Sequence, residues 1–414
     1  MSNYPIKTDF LIIGAGIIGL AIAKALREIY PEKEICIIEK ETSLGAHASG
    51  RNSGVLHAGF YYTSDSLKAK FTRQGNQELK EFCEEKGLRL NKCGKIVVAK
   101  DEEELETLFE LKRRGDANGV ELYIITEKEL KDLESNAKTY KHALLSPNTA
   151  TVEPLEVLKT LESGLKEQEV KFFFNSPYEK RLSDDLGIIA GGKFFKAEKI
   201  INCAGLYADK IAKDFGFSKD YELVPFKGIY LEYKGNDQFI KRNIYPVPDI
   251  RFPFLGVHFT VRVDGKIKIG PTAMPALWKE NYERFKRFNF KEFLETIKWD
   301  ALMFIKKAEF RRLAIEEMKK YSKSYLIEQA KMLVYNIPSA DLFKFGKPGI
   351  RAQLIDKKSL TLIQDFVVEG DKHSVHILNA VSPAFTASFP FARYVVENYI
   401  AKKFLKKETK DGKV

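Results

Sequence analysis

The sequence predicts an α/β fold: a Rossmann-like nucleotide-binding domain assembled from discontinuous segments, joined to a second, α+β domain built on an antiparallel sheet. Three observations predict it. The N-terminal stretch "TDFLIIGAGIIGLAIAKALREIYPEKEICIIEKE" reads as an apolar strand, a glycine turn, a helix and a second strand. Further strand-turn-helix units return far along the chain, in "KAEKIINCAGLYADKIA" and in "HILNAVSPAFTASFPFARYVVENYI". At 414 residues the chain exceeds one simple core and fits two domains. The nucleotide-binding domain is expected over residues 1–84, 146–219 and 336–414, and the second domain over 85–145 and 220–335.

In the first element the glycines Gly14, Gly16 and Gly19 have the G-x-G-x-x-G spacing. The first permits the tight turn, the second lets backbone approach a pyrophosphate, and the third lets helix and strand pack closely. The helix N-terminus then offers free N–H groups and a positive dipole end to phosphate oxygens. Glu39 closes the second strand, where a carboxylate accepts the hydroxyls of an adenosine ribose and repels a ribose 2′-phosphate. FAD and NAD both satisfy this pattern.

The rest of the chain departs from a continuous run of βα units. After Glu39 comes the turn-rich "TSLGAHASGRNSGVLHAG". Ala204-Gly205 forms a second place where backbone can approach a nucleotide, and "KPGIRAQ" with the closing strand-turn-helix unit forms a third. Between them, "GIYLEYK" and "GKIKIGP" read as strands of the second domain.

Hydrophobic residues at 44% and charged residues at 30% describe a globular protein with a sizeable core. The net charge of +11 raises nucleic acid or an anionic membrane as partners. Lysines interleaved with glutamates, as in "EEMKKYSK", instead read as a solvated surface, and no nucleic-acid partner is expected. Cys36, Cys83, Cys93 and Cys203 form no CxxC pair, so neither a metal site nor a disulfide framework is expected, and a reducing cytoplasm fits. Residues 1–13 lack a signal-peptide pattern, and there is no run of about 18 or more apolar residues that could span a bilayer.

Taken with the glycine turn and Glu39, the segments "HASGRNSGVLHAGFYY", "LKAKF", "CGKIVVA", "NCAGLYADKI", "VPFKGIYLEY", "NIYPVPDIRFPFLGVHFT", "PGIRAQ" and "NAVSPAFTASFP" resemble the L-2-hydroxyglutarate dehydrogenase/oxidase family. This family belongs with flavoproteins of the D-amino-acid oxidase and glycerol-3-phosphate dehydrogenase type. The resemblance implies FAD as cofactor and oxidation of L-2-hydroxyglutarate, or a similar 2-hydroxy diacid, to 2-oxoglutarate by hydride transfer to flavin N5. Electrons would pass to a quinone or to oxygen. It further implies cofactor contacts from Lys40, His47, Ser49, Asn52, Ser53, Gly54, Val170, Ala204, Gly205, Gly349, Ser382, Pro383 and Ala384. Two other readings stay open: oxidation of an amino acid, an amine or glycerol 3-phosphate, and non-catalytic dinucleotide binding.

In that architecture "RNSGVLHAG" carries His57 toward the flavin ring. A hydroxy acid that gives up a hydride must also lose its hydroxyl proton, and imidazole is the natural acceptor near neutral pH. His57 is the first candidate base and His258 the second; a backbone-bonded core histidine and a covalent flavin attachment are the other readings of His57. His142, His373 and His376 stand in no motif. A diacid also needs cations, because each buried carboxylate requires a fixed donor. Arg351 matches the arginine that related flavoenzymes set against the α-carboxylate; Lys227, Arg262, Tyr245 and Tyr61 are the further substrate candidates.

The stretch "FKEFLETIKWDALMFIKKAEFRRLAIEEMKKY" is helical, aromatic and basic. Packing onto its own sheet accounts for it, and so does a peripheral contact with the inner face of the cell membrane. The closing "AKKFLKKETKDGKV" reads as a solvated tail whose lysines add to such an attraction.

Overall fold

The computed structural model describes residues 4–182, 187–249 and 254–401. Part of "NIYPVPDIRFPFLGVHFT" and nearly all of the C-terminal tail lie outside the described residues. The chain forms two compact units, residues 1–50 with 154–223 and 352–414, and residues 51–153 with 224–351.

The first unit is built on an eight-stranded sheet. Strand β1 (Ile6–Ile13) lies between β2 (Ile35–Ile38) and the strand Lys193–Asn202, parallel to both. Lys171–Phe173 extends the parallel set beyond β2, and Ser374–Ile377 adds to Lys193–Asn202 on the other side. Phe10 to Ile13 of β1 and all of β2 are buried with no polar alternation, as strands covered on both faces require. Helix α1 (Ile17–Ile29) is apolar on nearly every side, because it is packed against the sheet and the helices Pro154–Glu167 and Ser388–Val395.

The second unit carries another eight-stranded sheet, in the order Phe343–Phe345, Leu231–Tyr233, Ile267–Gly270, His258–Val261, Asn243–Pro246, Lys95–Val98, His142–Ser146 and Tyr123–Thr126. Its pairings are antiparallel except Asn243–Pro246 with Lys95–Val98, which run parallel. Alternation divides the central strands between two cores. Ile96, Val98, Ile244 and Phe259 face one; Val97 and Tyr245 face the other, with Phe60, Tyr61 and Leu108.

Residues 51–84 belong to this second unit, so the first crossing lies at Gly50 rather than residue 84. The reason is long-range pairing. Val55–Leu56 pairs with Ala150–Val152, Asn76 of the helix Leu67–Glu85 donates to the Leu56 carbonyl, and Asn118 donates to the carbonyls of Gly59 and Tyr62.

The basic helical stretch is two helices, Phe290–Lys306 and Ala308–Lys319, broken at Lys307. The second packs on Met274–Pro275 and buries Phe310 and Ala314, while Phe290, Leu294, Ile305 and Met318 remain exposed. Self-packing therefore accounts for part of its apolar surface. No helix among the described residues is long and apolar enough to cross a membrane.

Candidate active site

The first unit brings the glycine turn to the C-terminal edge of its parallel strands. Gly14 has φ +104°, and a Cβ there would lie 2.7 Å from the Cys203 carbonyl oxygen. A Cβ on Gly19 would lie 2.0 Å from the Gly14 carbonyl oxygen. Only glycine permits both approaches, which expose the turn backbone to a ligand. Glu39 is held at the same edge: one carboxylate oxygen accepts from Ala15 N–H at 2.9 Å and the other from Glu41 N–H at 3.0 Å. Each oxygen keeps a further lone pair for a ribose hydroxyl.

Ser49 Oγ accepts from Ile17 N–H at 3.0 Å, placing a hydroxyl at the α1 N-terminus, where pyrophosphate oxygens are favoured. Asn202 bonds Ala204 N–H at 3.2 Å through its oxygen and the Ala208 carbonyl at 2.8 Å through its nitrogen. Gly205 follows at φ +54° with open space where a Cβ would stand, so this second turn is also bare. Ser382 is exposed, and Pro383 and Ala384 are buried at the turn before Ser388–Val395. The residues of this unit thus fit a dinucleotide.

Three of the expected cofactor contacts read differently in three dimensions. Lys40 Nζ and His47 Nε2 meet at one oxygen of Glu41, at 2.6 and 2.9 Å, which gives both side chains a carboxylate of the chain itself. Val170 is a core residue preceding Lys171–Phe173, at the strand end opposite Glu39. The end that reaches Glu39 is Phe173, whose carbonyl accepts the Glu39 N–H at 2.9 Å. A strand carries its nucleotide contacts at its carboxyl end, and that rule could have directed the choice to Phe173.

In the second unit Asn52 accepts from Gly54 N–H at 2.8 Å, Gly54 has φ +75°, and Ser53 bonds the Tyr230 hydroxyl. A Cβ on Gly349 would meet the Arg51 carbonyl oxygen at 2.4 Å, so the chain's own backbone already demands that glycine.

The same unit contains a buried basic cluster. His57 and His258 are 8% and 4% exposed. Tyr245 lies opposite the end of His258–Val261, and its ring stacks on His258 with centroids 3.7 Å apart. His258 Nδ1 lies 2.9 Å from the Gly256 carbonyl; that oxygen can only accept, so in the neutral ring Nδ1 bears the proton and Nε2 the free lone pair. Arg351 lies over the Phe254 ring, 5.4 Å from its centroid. Burial, then Lys95, His258 and Arg351, hold His57 well below the usual imidazole range. Burial and Lys95 push His258 down to about 3. Both imidazoles are therefore neutral at pH 7 and able to accept a proton.

Lys95 was not among the residues singled out from sequence. It is fully buried at the start of Lys95–Val98, opposite Asn243, on the face that also carries Tyr245. Its Nζ lies 4.3, 4.9 and 5.3 Å from the ring centroids of Tyr245, Tyr61 and Phe60. The signal available beforehand was a lysine opening a wholly apolar strand, "KIVV".

Tyr61 and Tyr245 thus join the cluster, both hydroxyls buried, that of Tyr61 without a hydrogen-bond partner and that of Tyr245 beside Thr260. Arg262 does not. It follows the strand that His258 begins, roughly 13 Å along at about 3.3 Å per residue, and pairs with Glu153 at 3.1 Å. Lys227 is half-buried on Tyr221–Gly228, opposite Met274, with Glu283 as its nearby charge.

Residues 9–398 match the family model described as FAD dependent oxidoreductase. The mitochondrial L-2-hydroxyglutarate dehydrogenase of Bos taurus is 35% identical, over 94% of this chain and 88% of its own. The L-2-hydroxyglutarate dehydrogenase of Escherichia coli O17:K52:H18 is 33% identical, over 94% of this chain and 92% of its own. Among solved structures, dithionite-reduced L-alpha-glycerophosphate oxidase from Mycoplasma pneumoniae with FAD bound superposes with a TM-score of 0.75 at 24% identity, covering 95% of this chain and 94% of that one. The glycine turn, Glu39 and these matches lead to one conclusion: the chain belongs to the FAD-dependent oxidoreductases and, within them, to the L-2-hydroxyglutarate dehydrogenase family.

Proposed function

We propose that this chain oxidises L-2-hydroxyglutarate, or a closely similar 2-hydroxy diacid, to 2-oxoglutarate. The observation that carries the reading is the basic cluster of the second unit: the buried Lys95, the partly buried Arg351 and two neutral imidazoles. FAD, when bound, supplies the acceptor for the hydride from C2. The chain's own residues hold the acid, exclude water and take the hydroxyl proton. The Arg351 guanidinium is a planar fork suited to the α-carboxylate. We assign acceptance of the hydroxyl proton to His57; the Nε2 lone pair of His258 is the second candidate acceptor for that same proton. Burial depresses both imidazoles most and the cations Lys95 and Arg351 less; a bound dianion offsets the cations' share, which raises the basicity of both rings in part.

On the first unit, Gly14, Gly16, Gly19, Ser49, Ala204, Gly205 and Ser382–Ala384 are assigned to FAD, with Glu39 on the ribose. Asn52, Ser53, Gly54 and Gly349 are the second unit's candidates.

Anaerobic addition of L-2-hydroxyglutarate to the yellow holoenzyme should bleach the visible flavin band within the turnover time. Bleaching by an amino acid, an amine or glycerol 3-phosphate, with none by a 2-hydroxy diacid, would overturn the reading. For the electron acceptor we infer a quinone or oxygen. Exposed Phe285, Phe290 and Ile305 stand among Lys286, Lys291, Lys306 and Lys307, an arrangement suited to the cytoplasmic face of an anionic bilayer. Co-sedimentation with vesicles containing anionic lipid, absent with zwitterionic ones, is the expected result.

A further inference from the structure

We propose that Lys95 is the second cation of the substrate pocket, binding the remote carboxylate that Arg351 leaves unpaired and so selecting diacids over monoacids; this rests on the diacid reading above. The Nζ is fully buried yet has no hydrogen-bond partner, and no ion pair holds either Lys95 or Arg351 among the described residues.

Burying an ammonium with only aromatic faces around it is costly, and such a charge persists where a ligand of opposite sign completes it. Three rings form the cage: Phe60, Tyr61 and Tyr245 attract the cation through their faces but cannot replace the hydrogen bonds of water. The Tyr61 hydroxyl is also buried and unpartnered, and the buried Tyr245 hydroxyl has only Thr260 beside it, so two phenols able to donate belong to the rings that surround the ammonium. A carboxylate accepts from all three. His57 and His258 both feel the charges of Lys95 and Arg351, which places the two cations about one cluster. Burial lowers Lys95 to about 7, a value that an adjoining carboxylate would raise again.

The test uses the oxidised holoenzyme and two unreactive ligands, glutarate and butyrate, titrated against the visible flavin spectrum. The native protein should prefer glutarate by at least about 30-fold, as expected for a desolvated charge pair. In Lys95→Met that preference should fall below about 3-fold while butyrate affinity stays within about 3-fold. The melting temperature should hold or rise, since methionine fills the cage without a buried charge. A Lys95→Met protein that keeps its preference for glutarate overturns the proposal. So does one that loses both ligands equally, for the lysine would then be supporting the pocket's shape. If the native protein prefers glutarate and Lys95→Met loses that preference as stated, but no 2-hydroxy diacid bleaches the flavin, the Lys95 assignment stands and the proposed reaction fails. If it binds neither ligand, the Lys95 assignment fails.

Discussion

Replacing Gly19 by alanine tests the cofactor site at its most constrained point. The new Cβ would stand 2.0 Å from the Gly14 carbonyl oxygen, 3.2 Å from the Gly14 carbonyl carbon and 3.3 Å from Ile12 Cγ2. Ordinary carbon–oxygen contact needs more than a further ångström, and the opposing atom is backbone. Helix α1 must therefore lift from β1, or the turn must open, at a cost of about 1–3 kcal/mol or more. Either movement displaces the Ala15 and Ile17 N–H groups that now reach Glu39 and Ser49 at 2.9 and 3.0 Å. Gly164→Ala is the matched control: it lies within the helix Pro154–Glu167 with nothing inside 4 Å of its Cβ, and should stabilise by about 0.5–1 kcal/mol. Flavin content after purification and melting with added FAD are the measurements. Gly19→Ala should lose most of its flavin and melt lower, while Gly164→Ala keeps both. A Gly19→Ala protein retaining FAD and native melting would refute the close-approach argument.

Four other outcomes are expected. His57→Asn should slow anaerobic flavin reduction about 10²–10⁴-fold with FAD retained, whereas His258→Asn should act more weakly; the reverse order would move the base to His258. Arg351→Met should raise the dissociation constant for the 2-hydroxy diacid about 30-fold or more, and unchanged affinity would remove it from the pocket. Arg262→Met should leave diacid affinity unaltered and cost at most about 1 kcal/mol, the scale of a partly exposed ion pair; a loss of substrate binding there would reverse our placement of that residue.

The last outcome concerns pH. His258 is pushed down to about 3 against an ordinary 6.5, and His57 moves the same way. As pH falls from 6.5 toward 3, the unfolded chain takes up protons that the native state refuses, so stability declines across that window, by about 1.4 kcal/mol for each tenfold difference in proton affinity. Lys95, lowered to about 7 from 10.5, acts at the other end. Stability should gain from pH 7 to 10.5, and Lys95→Met should abolish that gain. The groups facing it are Tyr61, Tyr245, Cys93, His57, His258 and Arg351. Denaturant unfolding at a series of pH values measures both limbs, and a flat profile would contradict them.

By itself the sequence determined what is local. Strand, glycine turn, helix and Glu39 lie within residues 6–39, and their spacing alone carries the nucleotide chemistry. The histidine and arginine candidates were legible because each sits in a recognisable segment and its side chain has one evident use for an anionic alcohol. Tertiary structure decided the rest. Lys95 became significant only when Asn243–Pro246 paired beside it, bringing Tyr245 over its ammonium from about 150 residues away. Arg262 left the pocket because Glu153, 109 residues away in the chain, meets it as an ion pair. Residues 51–84 joined the second unit through Ala150–Val152 and Asn118. A motif records the geometry of neighbours along the chain, whereas burial and charge pairing depend on which distant strands become adjacent.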